Sequence, residues 1–124
     1  MTQNKPHDTW KFICNEDDLN DIDDDEGIKV TVDNGAIVAV FRIKGEFHVI
    51  EDLCTHGKAS LSEGFVDDYD IECPFHGGTF DIRTGEATSF PCDKAIIVYK
   101  VKTDDGAVYA MVSADARQRI DAEG

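Results

Sequence analysis

Cys54-Thr55-His56, then sixteen residues, then Cys73-Pro74-Phe75-His76: this stretch decides how the rest of the chain is read. Each end pairs one cysteine with one histidine on a short loop, so two thiolates and two imidazoles can converge from opposite sides. Cysteine and histidine are the ligand types that zinc and iron–sulfur clusters select. Zinc fingers usually group like ligands, as Cys-x2–4-Cys and His-x3–5-His, whereas here each loop is mixed. Thiolates on one iron with neutral imidazoles on the other leave a cluster less negative, and easier to reduce, than four thiolates would. Two readings follow from these residues: a two-iron cluster with mixed ligation, which the mixed loops favour, and a structural Cys2His2 zinc site.

Outward from the ligands, Gly57, Gly64, Gly77 and Gly78 permit the tight loops that would bring both pairs to one tip. Phe65-Val66 and Ile71-Glu72-Cys73 predict a small hairpin around Asp67–Asp70, and Thr79–Ile82 with Thr84-Gly85 predicts another. Residues 51–92 thus read as an insertion framed by longer strands. On the N-terminal side these are 9–14, then alternating Ile28, Val30 and Val32, a buried strand over 36–43, and 47–50. Asn34-Gly35 and Lys44-Gly45 mark the turns between them. Asn15 predicts the N-cap of a short helix, with Glu16, Asp17 and Asp18 in its first turn and Leu19 and Ile22 tucked inward. On the C-terminal side, residues 95–102 read as one strand, turned by Asp105-Gly106 into 108–112. The expectation is an all-β chain forming a single domain over 1–124. Nothing in the tail from 113 to 124 requires order.

Composition narrows the partners. The 124 residues carry a net charge of −14, which phosphate backbones and anionic lipid surfaces repel, so neither nucleic acid nor membrane is expected. The longest apolar run, Ala36–Phe41, is far short of a membrane span. The start, Met1 to Asp8, shows neither a twin-arginine pair nor an apolar signal core, so a cytoplasmic protein is expected. Cys14 and Cys92 then read as reduced, small buried hydrophobes. Eight acids between positions 16 and 26 read as a solvated acidic edge, because the alternating oxygen ligands of an EF-hand are missing. His48 reads as a partly exposed strand histidine and His7 as part of a loose terminus, neither a metal ligand. Trp10 reads as a core or interface aromatic.

Cys54-Thr-His-Gly, Leu61-Ser-Glu-Gly64, Glu72-Cys-Pro-Phe-His-Gly-Gly78, Phe80-Asp-Ile and Thr84-Gly85 together resemble the Rieske-type [2Fe–2S] proteins. The resemblance is closer to the soluble Rieske ferredoxins of bacterial aromatic-ring-hydroxylating dioxygenase systems. It implies a Rieske-type antiparallel β sandwich or barrel with a small cluster-binding subdomain over about 51–92. It also implies one [2Fe–2S] cluster, with Cys54 and Cys73 on one iron and His56 and His76 on the other, the two imidazole edges serving as electron entry and exit. Ser89-Phe90-Pro91-Cys92 falls where the family carries a proline-containing loop over the cluster; there Phe90 either shields iron from water or simply packs.

Absence constrains function further. A terminal oxygenase needs a mononuclear iron held by two histidines and a carboxylate, and only His7 and His48 remain. A reductase needs a flavin or nicotinamide fold, and no G-x-G-x-x-G occurs. The resemblance then implies a monomeric one-electron carrier, not an enzyme, placed between a flavin-containing ferredoxin reductase and the Rieske centre of a terminal oxygenase. The alternatives are a Rieske-like small subunit bound within a larger reductase, such as assimilatory nitrite reductase, and a zinc-stabilised interaction module. High-potential relatives have an extra cysteine in each ligand loop, where this chain has Ala59 and Phe75. They also carry serine and tyrosine hydroxyls where it has Gly78 and Phe80. Both differences imply a low potential.

Overall fold

The computed structural model describes residues 10–23, 25–53, 59–74, 77–89 and 95–112. Eleven strands run through them: β1 Lys11–Asn15, β2 Gly27–Thr31, β3 Ile37–Ile43, β4 Glu46–Glu51, β5 Phe65–Asp67, β6 Asp70–Glu72, β7 Thr79–Asp81, β8 Ala87–Ser89, β9 Val98–Tyr99, β10 Val101–Asp104 and β11 Ala107–Ala110. Short 3-10 turns cover Glu16–Leu19 and Leu61–Glu63. At the first of these, where a short helix was expected, the Asn15 N–H donates to Asp18 Oδ2 at 2.9 Å, so one acid of the turn serves the backbone.

The strands form three antiparallel sheets, ordered β1-β11-β10, β2-β3-β4-β9 and β5-β6-β7-β8. The second is the middle layer, and the alternation of β3 explains why. Val38 and Val40 point into one core with Ile13, Val108 and Val112, while Ala39, Phe41 and Ile43 point into the other with Leu61, Ile71 and Phe80. β4 repeats the division, with Val49 in the first core and Ile50 in the second. A strand buried on both faces reads as a continuous apolar run rather than a polar alternation, as Ala36–Phe41 does.

The hairpins follow their turn chemistry. Lys44 and Gly45 have φ of 54° and 84°, and Asp105 and Gly106 have 54° and 81°, the double positive φ of a two-residue turn that matches strand twist. The expected single strand over 95–102 is corrected. Residues 98–99 extend β4, residues 101–104 pair with β11, and Lys100 lies between, its carbonyl accepting from Met111 N–H at 3.0 Å. One alternating run has to serve the edges of two sheets, and it breaks where it passes from one to the other.

Candidate metal centre

Of the four expected ligands, Cys73 is described; Cys54, His56 and His76 lie outside the described residues, as do His7 and the Phe90–Cys92 segment. Cys73 leaves the end of β6 fully buried and unpaired as a disulfide, within the core that holds Leu61, Ile71 and Phe80. Its loop is closed on itself. Cys73 N–H donates to Gly78 O at 2.8 Å, and Gly77 N–H donates back to Cys73 O at 3.0 Å. Gly77 sits at φ +76°, so the reversal depends on a residue without a Cβ.

The first ligand loop is fastened at its neck. Leu53 bridges Ser60, and Leu61 N–H donates to Asp52 O at 2.6 Å. Ser62 N–H donates to Asp52 Oδ1 at 2.9 Å. From this neck the chain runs to Gly64, whose α-carbon lies so close to the carbonyl of Glu72 that any Cβ there would overlap it. The exit of the first ligand loop and the entry to the second are therefore in backbone contact. A third segment joins them from the C-terminal side: Ile96 N–H donates to Gly85 O at 2.8 Å, and Ile97 N–H to Glu51 Oε2 at 2.8 Å.

This arrangement fits a two-iron cluster. A buried, unpaired thiol stands on a glycine-hinged loop, walled by apolar side chains, and the neck of the other Cys-His loop is pressed against its base. Such a wall keeps water and competing ligands from the metal. Gly78 and Phe80 offer Cys73 no hydroxyl; the Phe80 ring is itself fully buried in the core.

His48 is half-buried in β4, as expected of a partly exposed strand histidine. Its Nε2 is buried without a hydrogen-bond partner among the described residues. Burial holds its imidazole below the usual histidine range, with the Glu46 carboxylate opposing. Its ring meets Tyr69 edge-on at 6.1 Å, and Lys44 and Arg83 lie over the same tyrosine at 4.7 and 4.1 Å. This cluster ties the β3–β4 turn to the β5–β6 turn and acts in packing. Cys14 is buried as expected, and burial, with Asp18 nearby, pushes its thiol up to about 11. Sequence reasoning passed over Glu51 and Asp52, the two buried acids of the described residues. The available signal was their place, directly after apolar Val49-Ile50 and directly before the first ligand loop.

Comparison with known proteins is consistent with this geometry. The sequence profile of the Rieske [2Fe-2S] domain matches residues 9–111. The ferredoxin component of the p-cumate 2,3-dioxygenase system of Pseudomonas putida is 38% identical over 96 residues, covering 77% of this chain and 81% of that protein. The Sphingomonas yanoikuyae B1 ferredoxin superposes with a TM-score of 0.73 at 41% identity, over 80% of this chain and 94% of that one. A structure of reduced oxygenase with oxidized ferredoxin in carbazole 1,9a-dioxygenase matches with a TM-score of 0.72 at 40% identity, over 83% and 93%. With the profile spanning most of its length, the chain belongs to the Rieske [2Fe–2S] domain family, carries one such cluster, and transfers electrons rather than transforming a substrate.

Proposed function

We propose that this chain is the ferredoxin component of an aromatic-ring-hydroxylating dioxygenase system, with Cys54, His56, Cys73 and His76 as the cluster ligands. In this reading Cys54 and Cys73 hold one iron, and His56 and His76 hold the other. When bound, the cluster takes up and releases a single electron. The chain's own part is to hold two thiolates and two neutral imidazoles in place and to keep water from them. The observation that carries the reading is the buried Cys73 thiol on its glycine-hinged loop, with the backbone of the first loop's exit set against Glu72.

The carrier works as a cytoplasmic, single-domain monomer. It receives its electron from a flavin-containing ferredoxin reductase and delivers it to the Rieske centre of a terminal oxygenase. No helix among the described residues is long and apolar enough to cross a membrane. Metal and sulfide analysis of the purified protein should give two irons and two labile sulfides, and Cys54→Ser or Cys73→Ser should abolish both. The purified chain alone should then relay electrons from such a reductase to such an oxygenase. One zinc without sulfide would end the two-iron cluster assignment. Recovery only as a subunit of a larger reductase would end the carrier assignment.

A further inference from the structure

Two consecutive carboxylates, Glu51 and Asp52, are buried to 4% and 5% exposure just before the first ligand loop. Neighbouring residues of a strand face opposite ways, and an acid on each face is buried only where both faces are covered and the acid has work as an acceptor. Both conditions hold. Glu51 N–H donates to Ile97 O at 3.0 Å while its own Oε2 accepts from Ile97 N–H, so this one residue grips both backbone groups of Ile97. Asp52 faces the other way. Its N–H reaches Ile37 O at 3.2 Å, its carbonyl takes Leu61 N–H and its Oδ1 takes Ser62 N–H. Lys29 Nζ stands 3.8 Å from the second carboxylate oxygen.

The 3-10 turn over Leu61–Glu63 shows why an acid is needed here. The first N–H groups of any helical turn lack partners within it, and a residue at the N-cap ordinarily supplies one. Ser60 occupies that place, but its side chain makes no capping bond. Asp52 supplies the acceptor from across the loop instead. A cap borrowed from the far side does two things at once: it satisfies the turn, and it closes the loop between itself and Ser62.

We propose that Glu51 and Asp52 are positioning residues for the metal centre, a back-to-back pair that sets both flanks of the first ligand loop. Asp52 closes the loop carrying Cys54 and His56. Glu51 fixes the segment by which the chain returns from the 90–94 region. Neither touches metal; each acts through backbone amides. The inference rests on the ligand assignment above only for its consequence, since the clasps are bonds within the polypeptide.

Amide hydrogen exchange on the purified holoprotein tests it, together with the rate at which a ferrous chelator removes the metal. In the wild type, Ser62 and Ile97 amides should be protected well beyond exposed loop amides. Asp52→Ala should speed Ser62 exchange about tenfold or more, because it orphans a part-buried donor, and should speed metal loss with it. Asp52→Asn, which keeps an acceptor oxygen, should restore both, a rescue that loss of general packing would not give. Glu51→Leu should expose Ile97 in the same manner, and Glu51→Gln should restore it. Unprotected Ser62 and Ile97 amides in the wild type would overturn the proposal even if the alanine and leucine variants fail to fold. Equal metal retention in all four variants would also overturn it. A wild type holding zinc without sulfide would instead sink the two-iron cluster assignment and leave the exchange pattern as the readout of the clasps.

Discussion

Gly64 and Glu72 are eight positions apart in sequence, yet the backbone of one rests on the carbonyl of the other with no room for a methyl group between them. This contact draws the two ligand loops together. The side chain of Glu72 is exposed, so the requirement falls on Gly64 alone. Gly64→Ala should push the loops apart, destabilise the holoprotein by about 1–3 kcal/mol as an overpacked site does, and lower iron content per chain. Denaturant unfolding with parallel iron assay would check it; an alanine variant with full iron and unchanged midpoint would count against loop convergence through this contact.

The reduction potential should lie near the bottom of the roughly −150 to +300 mV span of Rieske centres. Gly78 lacks a side chain and Phe80 lacks a hydroxyl, so neither supplies a side-chain hydrogen bond to sulfur that would stabilise the added electron. The net charge of −14 acts in the same direction, although salt screens its distant part. Protein-film voltammetry at neutral pH measures the value directly. Gly78→Ser with Phe80→Tyr should raise it, provided the introduced phenol follows the path of the buried Phe80 ring.

Cys14 makes stability fall on the alkaline side. Its thiol titrates near 11 in the folded chain against 9.0 for a free thiol. Between those values the unfolded chain sheds a proton that the native chain keeps, so stability is intact below pH 9 and declines above it. Each tenfold change in acidity corresponds to about 1.4 kcal/mol, and the loss by pH 11 should be about 1–3 kcal/mol. Cys14→Val should remove that part of the decline, seen as a shallower drop in urea midpoint from pH 8 to pH 11.

Encounter with redox partners should depend on salt. The eight acids between positions 16 and 26, and again Asp67, Asp68 and Asp70, give partners with basic surroundings a long-range pull. Reduction by the cognate reductase should slow as ionic strength rises through 0.1 M, where the screening length is about 10 Å. A rate flat from low to high salt would assign docking to apolar contact instead.

Much of this architecture was legible in the residues, for identifiable reasons. The Asn34-Gly35, Lys44-Gly45 and Asp105-Gly106 turns carry their own geometry, and the alternation at Ile28–Val32 is that of a half-buried strand. The division of residues 95–102 between two sheets was not legible, because alternation records which face is buried and not which neighbour is hydrogen-bonded. His48 read as a partly exposed strand histidine and is one; its contact with Tyr69 was not legible, because that ring comes from a distant hairpin. Glu51 and Asp52 were passed over, since a carboxylate that accepts from distant backbone amides looks like any other in sequence. Cys73 stands out in the sequence because it belongs to one of two loops that each mix a cysteine with a histidine, where zinc fingers usually group like ligands.

The middle sheet gives the two halves of the molecule unequal fates during biogenesis. Its β3 and β4 strands supply both cores, and the core around Val38, Val40 and Val49 contains none of the four expected ligands, so a chain that has not yet acquired iron should assemble the β1-β11-β10 half first. The opposite face, with Ala39, Phe41, Ile43 and Ile50, would then stand open as an apolar shelf until Leu61, Val66, Ile71, Phe80 and Ile82 close over it. Iron supply thereby becomes a solubility question. Chains made under iron starvation should be the ones that associate with one another or are taken by proteases, while loaded chains escape both.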